Sequence, residues 1–266
     1  MGSFALELLL CVLAFGFGYA ANQGGTCLVV AAHELHRRQP PKMFVGFLAA
    51  SAAAGLVAVP IVWTGTLGAT LAPSTSINFL LLIGAIAFGL GALINDTCLL
   101  GSLARLGDGE MRLLALPLGL TIGILAADHG RFGYDSTWPS LISKPSATGL
   151  VTLLAFLVVL VLALVFVSTK SVLRTKPGWS FGASMIGLGI LRLQLPTANG
   201  ILRSVVGGTL MGIGIALIPG GNDGLILAAV PTLSPGGIVA YLLMTTTIVF
   251  GFAARGKLFR RCLSRP

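Results

Sequence analysis

The sequence predicts an all-α polytopic membrane bundle with an internal pseudo-repeat and broken or re-entrant half-helices. Three observations predict it. Of the 266 residues, 55% are hydrophobic and only 9% charged, and the mean hydropathy is +0.96. Soluble domains carry roughly 25% charged residues, so this chain cannot clothe a water-facing surface. Several apolar runs approach the ~20 residues that cross a bilayer. A motif of Gly-x-Gly, a polar break and a short apolar piece recurs along the chain.

The apolar runs fall at about 4–21, 43–66, 76–94, 111–127, 147–169, 181–193, 203–219 and 235–254. Shorter pieces at 26–35, 97–106 and 224–232 are too brief to span alone, because ten helical residues rise only ~15 Å. Seven to nine membrane segments in one transmembrane domain, 1–266, are expected, with approximate repeat halves 1–130 and 145–266. The 36 glycines concentrate within the apolar runs. Small residues let helices approach closely in lipid, where apolar side chains supply no drive to associate.

The net charge of +9 is spread over short clusters between apolar runs: His36 to Lys42, Lys170 to Lys176 and Arg255 to Arg265. That is the positive-inside pattern rather than a nucleic-acid footprint. The loop 128–144, with Tyr134 and Trp138, reads as exterior. The first 30 residues lack Lys and Arg, and Glu7 lies near the start, which favours a retained helix over a signal peptide. The expected topology is a bacterial inner-membrane protein with its N-terminus outside and its C-terminus in the cytoplasm.

The repeated element has three copies. Phe15-Gly16-Phe17-Gly18 leads through GYAANQGGTC to Cys27. Phe88-Gly89-Leu90-Gly91 leads through GALINDTC to Cys98. Met211-Gly212-Ile213-Gly214 leads into IALIPGGNDG. The second and third copies share Asn-Asp, as Asn95-Asp96 and Asn222-Asp223, which reads as the start of each short helix; Gly187-Leu188-Gly189 is a weaker fourth copy. Non-helical backbone survives in hydrocarbon only where it is buried or lines a cavity, and transporters build mid-membrane sites from such breaks. The N-terminus of a half-helix offers free N–H groups and partial positive charge to an anion. No Lys or Arg lies close in the chain to the breaks at 95–98 and 219–224, so the helix ends would do this unaided. Asp96 and Asp223 have an alternative reading as helix N-caps, and a buried Cys is commonly a packing residue. The residues singled out for the pathway are Gln23, Cys27, Asn95, Asp96, Cys98, Gly220, Gly221, Asn222 and Asp223. No C-x-x-C pair occurs, and no metal or cofactor is called for.

GYAANQGGTCLVVAA at 18–32, FGLGALINDTCLLGSLARLGDGE at 88–110 and GGTLMGIGIALIPGGNDG at 207–224 resemble the YeeE/YedE sulphur-transport family. The resemblance implies an hourglass-like inner-membrane bundle taking up thiosulfate or a related small sulphur-containing anion. It implies that cysteines at the breaks, here Cys27 and Cys98, pass the ion along through thiol hydrogen bonds. Where the family often has Gly-Gly-Cys, this chain has Gly220-Gly221-Asn222: either Asn222 donates through its amide in place of the thiol, or the substrate is a different one. Two other readings use the same residues: a cation permease with Asp96 and Asp223 as ligands, and a membrane enzyme handling sulphur on a thiol. Only two carboxylates at the breaks argue against the first, since hard cations take ~6 oxygens. The Gly107-Asp108-Gly109-Glu110 turn and the basic loops could meet a cytoplasmic sulphur-accepting protein.

Overall fold

The computed structural model describes residues 7–8, 11, 27–65, 71–107, 109–129, 137–138, 142, 145–169, 196–218 and 221–263. The apolar runs at 4–21 and 181–193 therefore lie almost wholly outside the described residues, as do Gln23 and Gly220. Among the described residues nine helices follow in order: α1 Leu28–His36, α2 Lys42–Thr64, α3 Phe79–Asn95, α4 Leu99–Gly107, α5 Leu116–His129, α6 Ala147–Thr169, α7 Ala198–Leu217, α8 Gly221–Gly224 and α9 Pro235–Leu263. A 3-10 turn, Met111–Ala115, enters α5, and a π-helical turn, Leu225–Ala229, continues α8. Among the described residues, six segments are long and apolar enough to cross a membrane, so the chain is a multi-pass membrane protein. The exposed face of α6 is lined by Leu150, Val151, Leu154, Val158 and Leu162, as a lipid-facing helix requires.

Local chemistry sets the boundaries. Asn78 caps α3 by accepting from Leu81 N–H at 2.8 Å, and Thr197 caps α7 by accepting from Gly200 N–H at 3.2 Å. The Thr197 cap starts α7 five residues before the expected run at 203. Pro235 occupies the first position of α9, where its missing N–H costs nothing. β1, Ser74–Thr75, pairs antiparallel with β2, Thr137–Trp138, a short ribbon the all-α expectation did not include.

The helices meet backbone to backbone through glycine. α3 and α7 run antiparallel. A Cβ on Gly91 would stand 2.6 Å from Gly207 O and 2.7 Å from Met211 N, and one on Gly214 would stand 2.8 Å from Phe88 N and 2.9 Å from Gly84 O. Gly84 and Gly91 are as far apart in the chain as Gly207 and Gly214. Aligning the two Gly-x-Gly motifs equates Gly91 with Gly214, Gly84 with Gly207 and Phe88 with Met211. Under that alignment each contact maps onto the other, the signature of a two-fold relation. A second seam on α7 is parallel: Gly208 and Gly212 lie against Gly119 and Gly123 of α5, where a Cβ on Gly123 would reach 2.2 Å from Thr209 O. α2 and α6 are also antiparallel, with Gly55 on Phe156 and Gly149 on Trp63. Along α9, Gly89 meets Met244 O and Gly251 meets Leu93, so α3 and α9 run parallel.

These pairings define two ends of the bundle. One gathers Thr64, Asn78, Ala147, Leu217 and Pro235; we call it the upper end. The lower end gathers Lys42, Asn95, Ala198 and Arg255. α1 runs toward the lower end, where His33 packs edge-on against Phe252 at 5.2 Å.

Candidate functional site

Cys27 and Cys98 come together in the core. Cys27 holds the extended backbone immediately before α1, at φ −122° and ψ 115°, and Cys98 immediately precedes α4. Both are buried, Cys98 completely. Cys27 Sγ lies 3.7 Å from Thr97 Oγ1 and within hydrogen-bonding reach of the Cys98 thiol. The backbone N–H groups of Val30 and Cys98 approach the same sulphur. Gly101 makes this meeting sterically possible: a Cβ there would sit 2.8 Å from Cys27 Sγ and 2.5 Å from Thr97 Oγ1. Ser102 Oγ donates to Cys98 O at 2.8 Å, and Asn95 Nδ2 donates to Ser102 Oγ at 3.2 Å, so Asn95 braces the first turn of α4 from behind.

The third break joins the same cluster. Gly221, at φ +61°, faces Ile215 and Phe88. This left-handed conformation suits glycine, and it turns the chain into α8. Leu225, Ile226 and Ala229 of the π turn pack in one core with Cys27 and Cys98. Asp223 is half-buried and within electrostatic reach of both thiols. Asn222 is almost completely buried, and its Nδ2 donates to Asp223 Oδ1 at 3.3 Å. One amide hydrogen is engaged by Asp223, the second is left for the donor role expected of Asn222, and the acceptor Oδ1 has no partner among the described residues. Tyr241 of α9 packs against this core, and its buried hydroxyl also lacks a partner among the described residues.

Asp96 departs from the N-cap reading. It is the residue after α3, in the left-handed conformation at φ +60°, so it is a C-cap and not an N-cap. The absence of nearby Lys and Arg holds along the chain but not in space. Arg203 donates to Asp96 Oδ2 and to Ile94 O. Arg255 donates to Asp96 Oδ1 and to Leu93 O, both at 2.9 Å, and Arg112 reaches Asn95 O at 3.5 Å. Three arginines thus take up the last three carbonyls of α3. Those carbonyls have no partner inside the helix and carry the negative end of its dipole. Glu110 of the glycine turn is held by Arg105 and Arg112.

Of the residues predicted for the pathway, Cys27, Cys98, Asn222 and Asp223 converge. Gly221 shapes their approach, Asn95 stands behind them, and Asp96 belongs to the arginine cluster at the lower end. Gln23 and Gly220 lie outside the described residues. Sequence reasoning missed Thr97, Gly101, Tyr241, Arg203 and Arg255. Gly101, three residues past Cys98, offered a signal through its spacing; the others offered none. Among the described residues no group of three or more His, Cys, Asp or Glu is placed to hold a metal ion.

The chain matches the protein family described as sulphur transport over residues 23–179 and 177–250, which together span all three of these breaks. No curated protein matches it.

Proposed function

The chain belongs to the sulphur-transport (YeeE/YedE) family, and on that premise we propose that it takes up thiosulfate or a related small sulphur-containing anion, with Cys27 and Cys98 lining the route. Membership makes it a sulphur-related transporter. The observation that supports the finer reading is the buried thiol pair at the starts of two half-helices, α1 and α4. A half-helix N-terminus carries partial positive charge, which attracts an anion without a buried cation. A thiol is a weak S–H donor, matched to the polarisable terminal sulphur of thiosulfate. The pair supplies two such donors side by side, so the ion can exchange one for the other without being released into hydrocarbon.

Direction follows from charge. The lower end carries Arg37, Arg38, Lys42, Arg112, Arg203 and Arg255. By the positive-inside rule it faces the cytoplasm of a bacterial inner membrane, with the N-terminus outside and the C-terminus inside. A cytoplasmic sulphur-accepting protein would dock on this basic end.

Uptake of radiolabelled thiosulfate by proteoliposomes containing the full chain tests the reading. Uptake is expected to fall to background in Cys98→Ala and in Cys27→Ala. Unchanged uptake in both variants would sink it, and competition by sulfite, sulfate and selenium oxyanions would define the substrate.

A further inference from the structure

Asp223 is the unmatched charge of the site. Its neighbours are named by the packing. Asn222 donates to it, and Cys27 at the head of α1, Cys98 at the head of α4 and Tyr241 of α9 lie within electrostatic reach of it. α2, which packs along the π turn, carries no charged residue beyond Lys42 at its first position. Among the described residues the ion pairs fall on Glu110 and Asp96, and none falls on Asp223. Among the described residues its carboxylate accepts no backbone N–H as a helix cap would; its hydrogen bond comes from the Asn222 amide. An acid half-buried inside a membrane segment without a cation is expected to take part in the transport itself.

We infer that Asp223 is a proton-carrying group, so that anion uptake through the Cys27–Cys98 pair is coupled to proton entry. This deepens the transport reading and rests on it. Anion binding and proton binding are linked. A carboxylate beside the thiols repels an incoming anion. Protonation removes that repulsion and adds an O–H donor. Whatever the protonated form gains in anion affinity, the anion-bound form must gain in proton affinity. Asn222 Oδ1 and the Tyr241 hydroxyl, both buried and without a partner among the described residues, are an acceptor and a donor that a protonated Asp223 and a bound anion can complete. The cycle balances. Asp223 takes a proton from upper-side water, the anion binds against the neutral acid, and both leave on the lower side, where Asp223 is left as a carboxylate. An interior-negative potential opposes anion entry, and each proton carried along offsets one of the anion's charges.

Proteoliposomes of the full chain, loaded with a pH-sensitive dye and given labelled thiosulfate, test this. Influx in the wild type is expected to rise at least about fivefold as the outside is shifted from about pH 8 to about pH 6, the lower bound of typical site coupling. The lumen should acidify in step with the anion. Asp223→Asn, whatever its rate, should lose both the pH response and the acidification, and Asp223→Glu should restore them. Thiosulfate influx without acidification, or an Asp223→Asn variant that still acidifies the lumen, would overturn the inference while leaving the transport reading intact. A wild type that admits no sulphur anion under any gradient would overturn both.

Discussion

The two Asn-Asp breaks, at Asn95-Asp96 and Asn222-Asp223, are alike in sequence and opposite in surroundings. Asp96 closes α3 and is gripped by Arg203 and Arg255, with Arg112 on the carbonyl beside it. Asp223 lies in the first turn of α8, held by an amide and facing thiols. The cause is an insertion: Pro219-Gly220-Gly221 separates Leu217-Ile218 from Asn222, whereas Leu93-Ile94 runs straight into Asn95. Three extra residues carry the dipeptide past the bend and into the next helix. The same two side chains thereby become a joint at one break and neighbours of the thiol pair at the other.

The largest expected effect is at the residue that lets the Cys98 break meet Cys27. Gly101→Val should cut thiosulfate uptake roughly hundredfold, because displacements of about 1 Å at a positioned site cost that much. Gly46→Val, where a Cβ meets nothing within 4 Å, is the control and should transport normally. Equal losses in both would mean that Gly101 does no more than support the bundle. Next in size is the contrast between the carboxylates. Asp96→Asn should lower stability in detergent by roughly 1 kcal/mol, a modest cost because these pairs are more than one-third exposed. It should leave the shape of the uptake–pH curve untouched, the property Asp223→Asn is expected to abolish. A flattened curve in Asp96→Asn would erase the distinction drawn between the two breaks. The smallest effect is expected for Asn222→Cys, which restores the thiol common at this position in the family. Uptake should stay within about tenfold of wild type, the scale of one ordinary hydrogen bond. Complete loss would show that the Asn222–Asp223 contact is indispensable.

The bundle, its short half-helices and the convergence of Cys27, Cys98 and Asn222-Asp223 were readable in the sequence, because hydropathy and the recurring Gly-x-Gly are local patterns. Asp96 was misread for a local reason as well: matching Asn-Asp across a three-residue insertion equates letters rather than places in a helix. Arg203 and Arg255 reach Asp96 across 107 and 159 residues of chain, and no composition or spacing announces such a meeting. Tyr241 stands in an apolar helix without a motif. Its interest lies wholly in a hydroxyl left without a partner, which is a property of packing.

The contact between α3 and α7 has a mechanical consequence. Their glycines bring main chain against main chain, with Phe88, Met211 and Leu217 packed tightly against the same glycines. Sliding one helix along the other would drive carbonyls into Cα atoms within a fraction of an ångström. The pair is therefore a single stiff beam, and sliding α3 against α7 is the costly motion. Under the proposed transport, an ion would be handed along by the short pieces α1, α4 and α8 while the beam itself stays still.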